Sequence, residues 1–348
     1  MLKFIHIVGT RPNFMKLASL INKMNKEFNN KVVHTGQHFD TNMSDVFFKD
    51  LDLGKPDYNL NINSGDVNTQ IGNTIIKLNE IFKDEKPDGV IVYGDVNTTL
   101  SGALTSNKLG IPLIHVESGS RSFNKGMPEE VNRIIVDHIS DILLGCDFTT
   151  LDNLEAEGIY NNTHIVGNTA IDTFHNVYND VKDEPNPIDG EFVLCTLHRP
   201  SNVDNIDRLK ELIEHIGDLG DKVVFPAHPR VKNKLKDVDI PDTIEIIEPL
   251  GYKDFVRHLN HCKYAISDSG GVQCESTILR KRLFTMRDTT EHTLTVELGS
   301  NKLCYDPKEL KEMVNLSVDL SYDIPYIWDG KASERIIEII KEYYGYNT

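Results

Sequence analysis

Three acidic residues occur close together in the sequence, where strands or helices are expected to begin or end. Asp95 and Glu117 each follow an apolar run, and Glu129 follows Pro128 at the start of a predicted helix. Open parallel α/β sheets place their ligands at the carboxyl ends of the strands. Acids at these positions therefore indicate a site that transfers protons to and from a bound substrate.

Two of these acids also have a structural interpretation. Asp95 could cap the helix that follows it. Glu129 could be a first-turn charge behind Pro128 that pairs with Arg133 four residues later. These interpretations stay open for each residue alone, but the grouping with Glu117 favours a shared site.

Cationic residues follow the first apolar run, at residues 4–8. Gly9 permits a tight turn there, Arg11 can present its guanidinium to a ligand, and Lys16 lies one turn further along the predicted helix. A glycine-containing turn with a solvated arginine is the alternative.

Histidines recur at the ends of apolar runs, at His38, His115, His198 and His228. Two of them have an arginine close by, Arg199 and Arg230, which favours a pocket for an anionic substrate. A single histidine at such a position is usually structural. No H-x-H or H-x-x-x-H spacing occurs among these four, so we expect no metal site.

A short glycine-containing motif, Asp268-Ser269-Gly270-Gly271, follows another apolar run and opens a predicted helix. Two glycines remove side chains where a ligand would approach, and the N–H groups of a helix N-terminus bind diphosphate. Glu275 could accept hydrogen bonds from ribose hydroxyls. Alternatively, Asp268 and Ser269 cap the helix and Glu275 complements its dipole. The motif departs from G-x-G-x-x-G and from the P-loop pattern, so we expect no nicotinamide cofactor.

The composition is that of a globular protein, and 348 residues are enough for two domains. The net charge of −16 argues against a surface for nucleic acid or anionic membrane. The five cysteines include no C-x-x-C pair, which argues against a disulfide framework or a zinc site. The N-terminal apolar run is too short for a signal sequence, and no apolar stretch reaches about 18 residues, so we expect a cytoplasmic protein.

Short apolar runs alternate with helix-length amphipathic stretches along the chain. This alternation predicts two Rossmann-like, doubly wound α/β domains that meet at a cleft. The predicted strands of the first series are residues 4–8, 31–34, 89–93, 111–116 and 142–144. Those of the second are residues 192–197, 222–225, 244–247, 264–267 and 282–286, and residues 331–344 form a closing amphipathic helix.

The ordered motifs resemble those of the non-hydrolysing UDP-N-acetylglucosamine 2-epimerases, from residue 3 to about residue 340. They are Gly9-Thr10-Arg11-Pro12, Thr35-Gly36-Gln37-His38, Tyr93-Gly94-Asp95, His115-Val116-Glu117, Pro128-Glu129-Glu130-Val131-Asn132-Arg133, Gly167-Asn168-Thr169, His198-Arg199, His228-Pro229-Arg230 and Asp268-Ser269-Gly270-Gly271-Val272-Gln273. The resemblance implies a glycosyltransferase-B-like fold, usually dimeric, whose last helix returns to the first domain. We therefore expect an N-terminal domain with the catalytic acids at residues 1–170 plus 331–348, and a UDP-binding domain at residues 171–330.

The resemblance implies a reaction by anti elimination of UDP to a 2-acetamidoglucal, followed by re-addition of UDP with a proton delivered to the opposite face of C2. This interconverts UDP-GlcNAc and UDP-ManNAc and needs no cofactor. By position in the motifs, Asp95, Glu117 and Glu129 resemble the acid/base carboxylates, and His198 resembles an essential histidine. The expected substrate-binding residues are Arg11, Lys16, His228, Arg230, Tyr252, Phe255, Ser269, Gly270, Gly271 and Glu275, with Tyr252 and Phe255 near the uracil.

The chain departs from the usual pattern of the family at three places. Asn13 and Cys274 stand where glutamate is common, and His292 replaces the arginine of a Thr-Glu-Arg-Pro motif. Residues 38–48 and 121–128 resemble a shorter branch that includes epimerases of UDP-2,3-diacetamido-2,3-dideoxyglucuronate. That sugar nucleotide is the alternative substrate.

Two other functions fit the same residues. A sugar transferase of the same architecture would need an acceptor, and a non-catalytic protein would bind the nucleotide sugar without turnover. In each case the expected partner is a UDP-sugar, with neither nucleic acid nor membrane, and the family implies a homodimer. Residues 61–70 contain no arginine for a second, activating sugar nucleotide.

Overall fold

A computed structural model describes the protein over residues 1–36, 51–62, 66–316 and 320–346. The chain divides into two compact units. The first is Met1–Asn176 with Pro325–Thr348, and the second is Val177–Ile324. Each unit is built on a parallel sheet and has an apolar core of its own.

The described residues of the first unit form seven parallel strands. They are β1 (Lys3–Val8), β2 (Asn29–His34), β3 (Tyr58–Asn59), β4 (Gly89–Tyr93), β5 (Leu113–Ser118), β6 (Ile142–Gly145) and β7 (Thr163–Ile165). The sheet order is β3-β2-β1-β4-β5-β6-β7, with Phe4 of β1 opposite Gly89 of β4. The helices between the strands are α1 (Arg11–Met24), α2 (Val67–Glu85), α3 (Asn97–Leu109), α4 (Pro128–Ile139), α5 (Phe148–Ala156) and α6 (Thr169–Val181), the last of which runs on into the second unit.

In the described part of the second unit there are six parallel strands. They are β8 (Val193–Thr196), β9 (Val223–Pro226), β10 (Ile244–Ile247), β11 (Ala265–Ser267), β12 (Leu283–Thr285) and β13 (Asn301–Leu303), in the order β10-β9-β8-β11-β12-β13. Its helices are α7 (Pro200–Val203), α8 (Ile206–Gly217), α9 (Pro229–Leu235), α10 (Tyr252–His261), α11 (Gly270–Ile278), α12 (Thr293–Glu297) and α13 (Leu310–Asn315).

The central strands of both sheets are buried on both faces. Every residue of β4 is buried, and so is every residue of β1 after Lys3. Continuous apolar runs of this kind are typical of parallel strands that are covered by helices on two sides. The prediction of two Rossmann-like, doubly wound α/β units is confirmed.

Each sheet reverses its strand order at one place. In the first unit the chain runs outward from β1 to β3 and then returns to β4, on the other side of β1. In the second unit the corresponding neighbours are β8 and β11. The loops after two such strands diverge and leave a crevice at their carboxyl ends, which we call the switch point of that sheet.

The chain ends with helix α14 (Ala332–Tyr343), which packs in the first unit. The carboxylate of Asp172 accepts hydrogen bonds from the N–H groups of Ala332, at 3.0 Å, and Ser333, at 2.7 Å, at the start of this helix. Burial raises the pKa of Asp172 above its usual value despite these hydrogen bonds. The predicted apolar stripe is present, except that Ile339 is only half-buried.

Sequence patterning misses three short strands at the sheet edges, namely β3, β7 and β13. Each has two or three residues and contains no apolar run, unlike β11 and β12, which are equally short but buried and mostly apolar. Within the described ranges, no helix is long and apolar enough to cross a membrane.

Candidate active site

The switch point of the first sheet brings Lys16 of α1 against Glu117 at the end of β5. Lys16 Nζ lies 2.7 Å from Glu117 Oε1, and both side chains are nearly buried. Burial lowers the pKa of Lys16, but the carboxylates of Glu117 and Asp95 together outweigh it, so the net pKa lies above the usual value. Lys16 is therefore a charged ammonium that serves two acids.

The backbone at this point is arranged for close contact. Gly94 has a φ of +63°, and a Cβ built on it would lie 2.5 Å from Lys16 Nζ. Glu117 has a φ of +73°, next to a register shift between Val116 and Ser118. A non-glycine residue in this conformation costs about 1–3 kcal/mol, and such strain concentrates at functional sites. It directs the Glu117 side chain toward Lys16.

Asp95 is held by an ion pair instead of capping a helix. Its Oδ2 contacts an Nη of Arg133, which extends from α4. The N-cap of α3 is Val96, and it has no side-chain cap hydrogen bond. The alternative that Asp95 caps α3 is therefore wrong.

The pairing proposed for Glu129 is also different in the structure. Arg133 pairs with Glu130, three residues before it, at 2.7 Å. Glu129 lies half-buried in the first turn of α4, and among the described residues no ion pair involves it. The structure thus brings Asp95 and Glu117 together around Lys16, and leaves Glu129 at the start of a neighbouring helix.

Asn13 organises the turn between β1 and α1. Its Oδ1 accepts hydrogen bonds from the backbone N–H groups of Gly9, at 3.1 Å, and Thr10, at 3.2 Å. Its Nδ2 donates to the carbonyl oxygen of Tyr93, at 3.0 Å, at the end of β4. An amide both accepts and donates, whereas a carboxylate only accepts. Asparagine therefore ties the two strands of the switch point together in a way that glutamate could not.

His115 is a structural residue. It is fully buried, its Nε2 donates to the carbonyl oxygen of Gly94 at 2.8 Å, and its Nδ1 lies 2.6 Å from Asp137. Burial raises the pKa of Asp137, but His115 and Arg121 outweigh it and the net pKa falls below the usual value. The expectation that His115 lines a substrate pocket is wrong. His38 lies outside the described residues.

The switch point of the second sheet brings His198, after β8, against Asp268, after β11. Asp268 is fully buried and accepts hydrogen bonds from the N–H groups of His198 and Arg199, at 3.1 and 2.9 Å. Its Oδ1 also lies 3.0 Å from His198 Nδ1. Burial raises the pKa of Asp268, but contacts with His198, Arg199 and Asn202 lower it by more. The net pKa lies below the usual value, so the acid is ionised.

His198 is accordingly oriented by its neighbour. Its side chain is 56% exposed, and because Nδ1 faces Asp268, Nε2 is the nitrogen that is presented outward. Sequence reasoning treated Asp268 only as a possible cap. Its position directly after β11, at the carboxyl end of a central strand, is the signal that could have identified it.

Helix α11 begins at the same switch point. Ser269 is its N-cap and makes no side-chain cap hydrogen bond. A Cβ on Gly270 would lie 2.8 Å from Glu291 Oε1, whereas a Cβ on Gly271 would meet no atom within 4 Å. A side chain at the first position would displace the Glu291 carboxylate, whereas the second position leaves the helix N-terminus open to a ligand.

Glu275 and Tyr252 form a buried pair behind this helix start. Tyr252 donates to Glu275 Oε1 at 2.8 Å, and burial raises the pKa of Glu275 to about 7. Phe255, one turn along α10, is half-buried against an apolar cluster that includes Val272. The carboxyl group of Glu275 is thus only about half ionised near pH 7.

The remaining predicted residues are nearer the surface. Arg11 is exposed at the first position of α1. His228 is the N-cap of α9 and accepts from the N–H of Arg230 at 3.3 Å. The Arg230 guanidinium binds both carboxylate oxygens of Asp204, at 2.6 and 2.7 Å. Arg230 is therefore engaged in an ion pair of its own, and His228 caps the start of α9.

Two departures from the family pattern contact each other. Cys274 Sγ lies 3.6 Å from His292 Nδ1. All five cysteines are free and buried. In the described ranges, no group of three or more His, Cys, Asp or Glu side chains is arranged to hold a metal ion.

Comparison with known proteins places this arrangement among nucleotide-sugar epimerases. A family model described as UDP-N-acetylglucosamine 2-epimerase matches residues 21–341. The UDP-N-acetylglucosamine 2-epimerase of Methanocaldococcus jannaschii is 41% identical, over 97% of this chain and 99% of that protein. The UDP-2,3-diacetamido-2,3-dideoxy-D-glucuronate 2-epimerase of Pseudomonas aeruginosa is 36% identical, over 97% of this chain and 99% of that protein.

A solved structure gives the same result in three dimensions. The crystal structure of the M. jannaschii UDP-GlcNAc 2-epimerase in complex with UDP-GlcNAc and UDP matches with a TM-score of 0.91 and 37% identity. The match covers 98% of this chain and 100% of that chain. The similarity therefore extends over both units.

Proposed function

This chain belongs to the UDP-N-acetylglucosamine 2-epimerase family, and from that premise we propose that it interconverts UDP-GlcNAc and UDP-ManNAc without hydrolysing them. The observation that carries the proposal is the first switch point, where Asp95 and Glu117 lie around one buried lysine. Inversion at C2 requires a proton to leave one face of the ring and to return on the other. Two carboxylates held by different cations suit that requirement.

In this reaction the bond from C1 to the UDP oxygen breaks and the C2 proton is removed, which forms the C1–C2 double bond. The C2 proton is poorly acidic, so departure of UDP must develop positive charge at C1 before or while the base acts. UDP then adds back to C1, and a proton is delivered to C2 from the other face. Asp95, Glu117 and Glu129 are the proposed acid/base groups.

The second unit is proposed to bind the nucleotide. The open N-terminus of α11, with Ser269, Gly270 and Gly271, suits a diphosphate because its N–H groups point outward. His198, oriented by Asp268, can donate a hydrogen bond to the departing phosphate oxygen. Glu275 is the proposed ribose contact.

The other proposed nucleotide contacts follow from position in the family motifs. They are Arg11 and Lys16 in the first unit, and His228, Arg230, Tyr252 and Phe255 in the second. For Tyr252 the hydroxyl is already directed to Glu275, so its ring is the part proposed to lie near the uracil.

A second substrate is favoured by two observations. The P. aeruginosa relative that is 36% identical acts on UDP-2,3-diacetamido-2,3-dideoxy-D-glucuronate. His292 contacts Cys274 at the place where the family more often has an arginine. If UDP-GlcNAc is not turned over, this diacetamido uronate is the next candidate.

Proton NMR in D2O tests the proposal. With the purified protein and UDP-GlcNAc, we expect one solvent deuteron to enter C2 while the UDP-sugar stays intact. Free N-acetylmannosamine and UDP would instead indicate a hydrolysing epimerase. If no deuterium enters C2 of either sugar nucleotide, and turnover occurs only when an acceptor is added, the epimerase proposal is contradicted and a transferase is favoured. Binding without exchange, unchanged in Glu117→Gln, would favour a non-catalytic binding protein.

We further propose that the protein works as a cytoplasmic homodimer in polysaccharide biosynthesis. Exposed apolar side chains occur on α2, at Val67 and Ile76, and on α4, at Val131 and Ile135. Such side chains suit a contact between two copies. Sedimentation equilibrium checks the dimer, and a molar mass near 39.4 kDa, the mass of one chain, would contradict it.

A further inference from the structure

We propose that Arg133 is a positioning residue for Asp95, and that Glu130 fixes Arg133 in turn. The inference rests on the proposed function, because it assigns Asp95 a proton at C2 of the sugar. Both residues belong to the Pro128–Arg133 motif, but the sequence analysis assigned neither of them a role in catalysis or substrate binding.

The guanidinium group of Arg133 is buried and contacts two carboxylates. Arg133 is buried, with only 4% of its side chain exposed. One Nη contacts Asp95 Oδ2 and the other lies 2.7 Å from Glu130 Oε2. A planar guanidinium that is bound at both Nη atoms cannot rotate without losing one partner. Arg133 therefore fixes the orientation of the Asp95 carboxylate.

Glu130 is itself immobilised. Its side chain is 1% exposed, and it accepts hydrogen bonds from the N–H and Oγ of Ser122, at 2.9 and 3.0 Å, and from the N–H of Phe123, at 2.8 Å. Burial raises the pKa of Glu130, but these hydrogen bonds and Arg133 outweigh it, so the pKa falls below the usual value. Glu130 is therefore a carboxylate that is anchored to the loop before α4.

The same turn of α4 also holds the backbone of Asp95. Asn132, next to Arg133, donates from Nδ2 to the carbonyl oxygen of Asp95 at 2.8 Å. Adjacent side chains of one helix thus fix both the main chain and the side chain of one aspartate. Two independent restraints on the same residue are more than a surface ion pair provides.

The contact leaves part of Asp95 accessible. The side chain is 20% exposed, and Arg133 binds Oδ2. Among the described residues, Oδ1 accepts no hydrogen bond, so this oxygen is the one that can meet a substrate proton. Arginine stays charged at every pH at which proteins function, which keeps the contact intact whether or not Asp95 carries a proton.

The test compares Arg133→Lys with Arg282→Lys. Lysine keeps the charge but cannot bind Asp95 and Glu130 together. We expect kcat for C2 exchange to fall about 10- to 100-fold, as displacement of a catalytic group by about 1 Å does, with KM changed less than about twofold. Arg282 is the matched control, because it is a half-buried arginine of the second unit that donates to the carbonyl oxygens of Met313 and Val314. Arg282→Lys is expected to leave exchange unchanged.

A double mutant separates positioning from folding. On an Asp95→Asn background, Arg133→Lys should cause no further loss of kcat, because the group that it positions is gone. Equal losses on both backgrounds would overturn the proposal, and so would an Arg133→Lys enzyme with the parent kcat.

A crystal structure of Arg133→Lys provides a readout that does not depend on turnover. We expect the Asp95 carboxylate to leave its parent orientation while the backbone around Glu130 stays in place. An unchanged Asp95 would overturn the inference. Failure of the proposed function is distinct, because in that case the parent enzyme itself shows no exchange with either sugar nucleotide.

Discussion

The switch points of the two sheets carry different kinds of charge. In the first unit, Asp95 and Glu117 each pair with a buried cation, Arg133 and Lys16. In the second unit, the buried Asp268 binds backbone N–H groups and the ring of His198, and the N-terminus of α11 lies beside it. The first arrangement suits proton transfer, whereas the second offers N–H donors that suit a bound anion.

Sheet topology fixes where each of these sites lies but not what it does. Both sheets have the same parallel order around the switch point, and both place side chains at the carboxyl ends of their strands. The chemistry follows from the partners of those side chains. A variant of the acids Asp95 or Glu117 should therefore slow proton transfer and leave UDP binding nearly intact.

The largest effect is expected for Glu117→Gln. Removal of an acid/base group should lower C2 exchange by about 100- to 10,000-fold, while UDP affinity stays within about threefold. Deuterium incorporation and calorimetric titration with UDP measure the two quantities. Glu85→Gln is the matched control, because Glu85 also pairs with a lysine, Lys3, at 3.0 Å, but at the amino end of the sheet. An equal loss in both variants would contradict the separation of the two roles.

Opposite pH responses are expected from the two units. In the first unit, burial lowers the pKa of His6 to about 4 from its ordinary value of 6.5. The contribution of neutral His6 to stability is therefore present above pH 6.5 and is lost as the pH falls through about 4. In the second unit, burial raises the pKa of Glu275 to about 7. The contribution of protonated Glu275 to stability is therefore present below 4.5, the pKa in the unfolded chain, and is lost as the pH rises through about 7.

Each shift corresponds to about 3 kcal/mol of unfolding free energy, since one pKa unit is about 1.4 kcal/mol. Urea unfolding between pH 4 and 8 measures it. In a plot of unfolding free energy against pH, His6→Gln should flatten only the acidic part of the curve. Glu275→Gln should flatten only the part near neutral pH. Identical profiles for parent and variants would show that these two groups do not set the pH response.

The smallest effect is expected for the paired glycines of α11. Gly270→Ala places a methyl group 2.8 Å from Glu291 Oε1 and should lower the unfolding free energy by about 1–3 kcal/mol. Gly271→Ala has open space and should leave it unchanged or slightly raised, since alanine favours a helix. Thermal unfolding without ligand compares them. If Gly271→Ala is the less stable variant, the assignment of the open position is wrong.

Much of the fold follows from the sequence. The alternation of apolar runs with amphipathic stretches predicts the central strands, and the run at residues 89–93 coincides with β4. The edge strands β3, β7 and β13 are missed because they are short and contain no apolar run, whereas the equally short β11 and β12 are buried and mostly apolar. Asp95 and Glu117 are found for a simple reason: an acid directly after a buried strand lies at the carboxyl edge of a parallel sheet.

The family, the parallel α/β architecture and the residue types at the strand ends can all be read from the sequence, because they depend on local patterns. Tertiary structure alone decided which partners those residues have. Glu129 and Glu130 are adjacent, and spacings of both three and four residues bring a helical glutamate next to Arg133. Burial against Ser122 and Phe123 selects Glu130. Likewise, His115 is buried and donates a hydrogen bond to the carbonyl oxygen of Gly94. Contacts between distant segments, and not spacing along the chain, determine whether a polar side chain faces a ligand or the core.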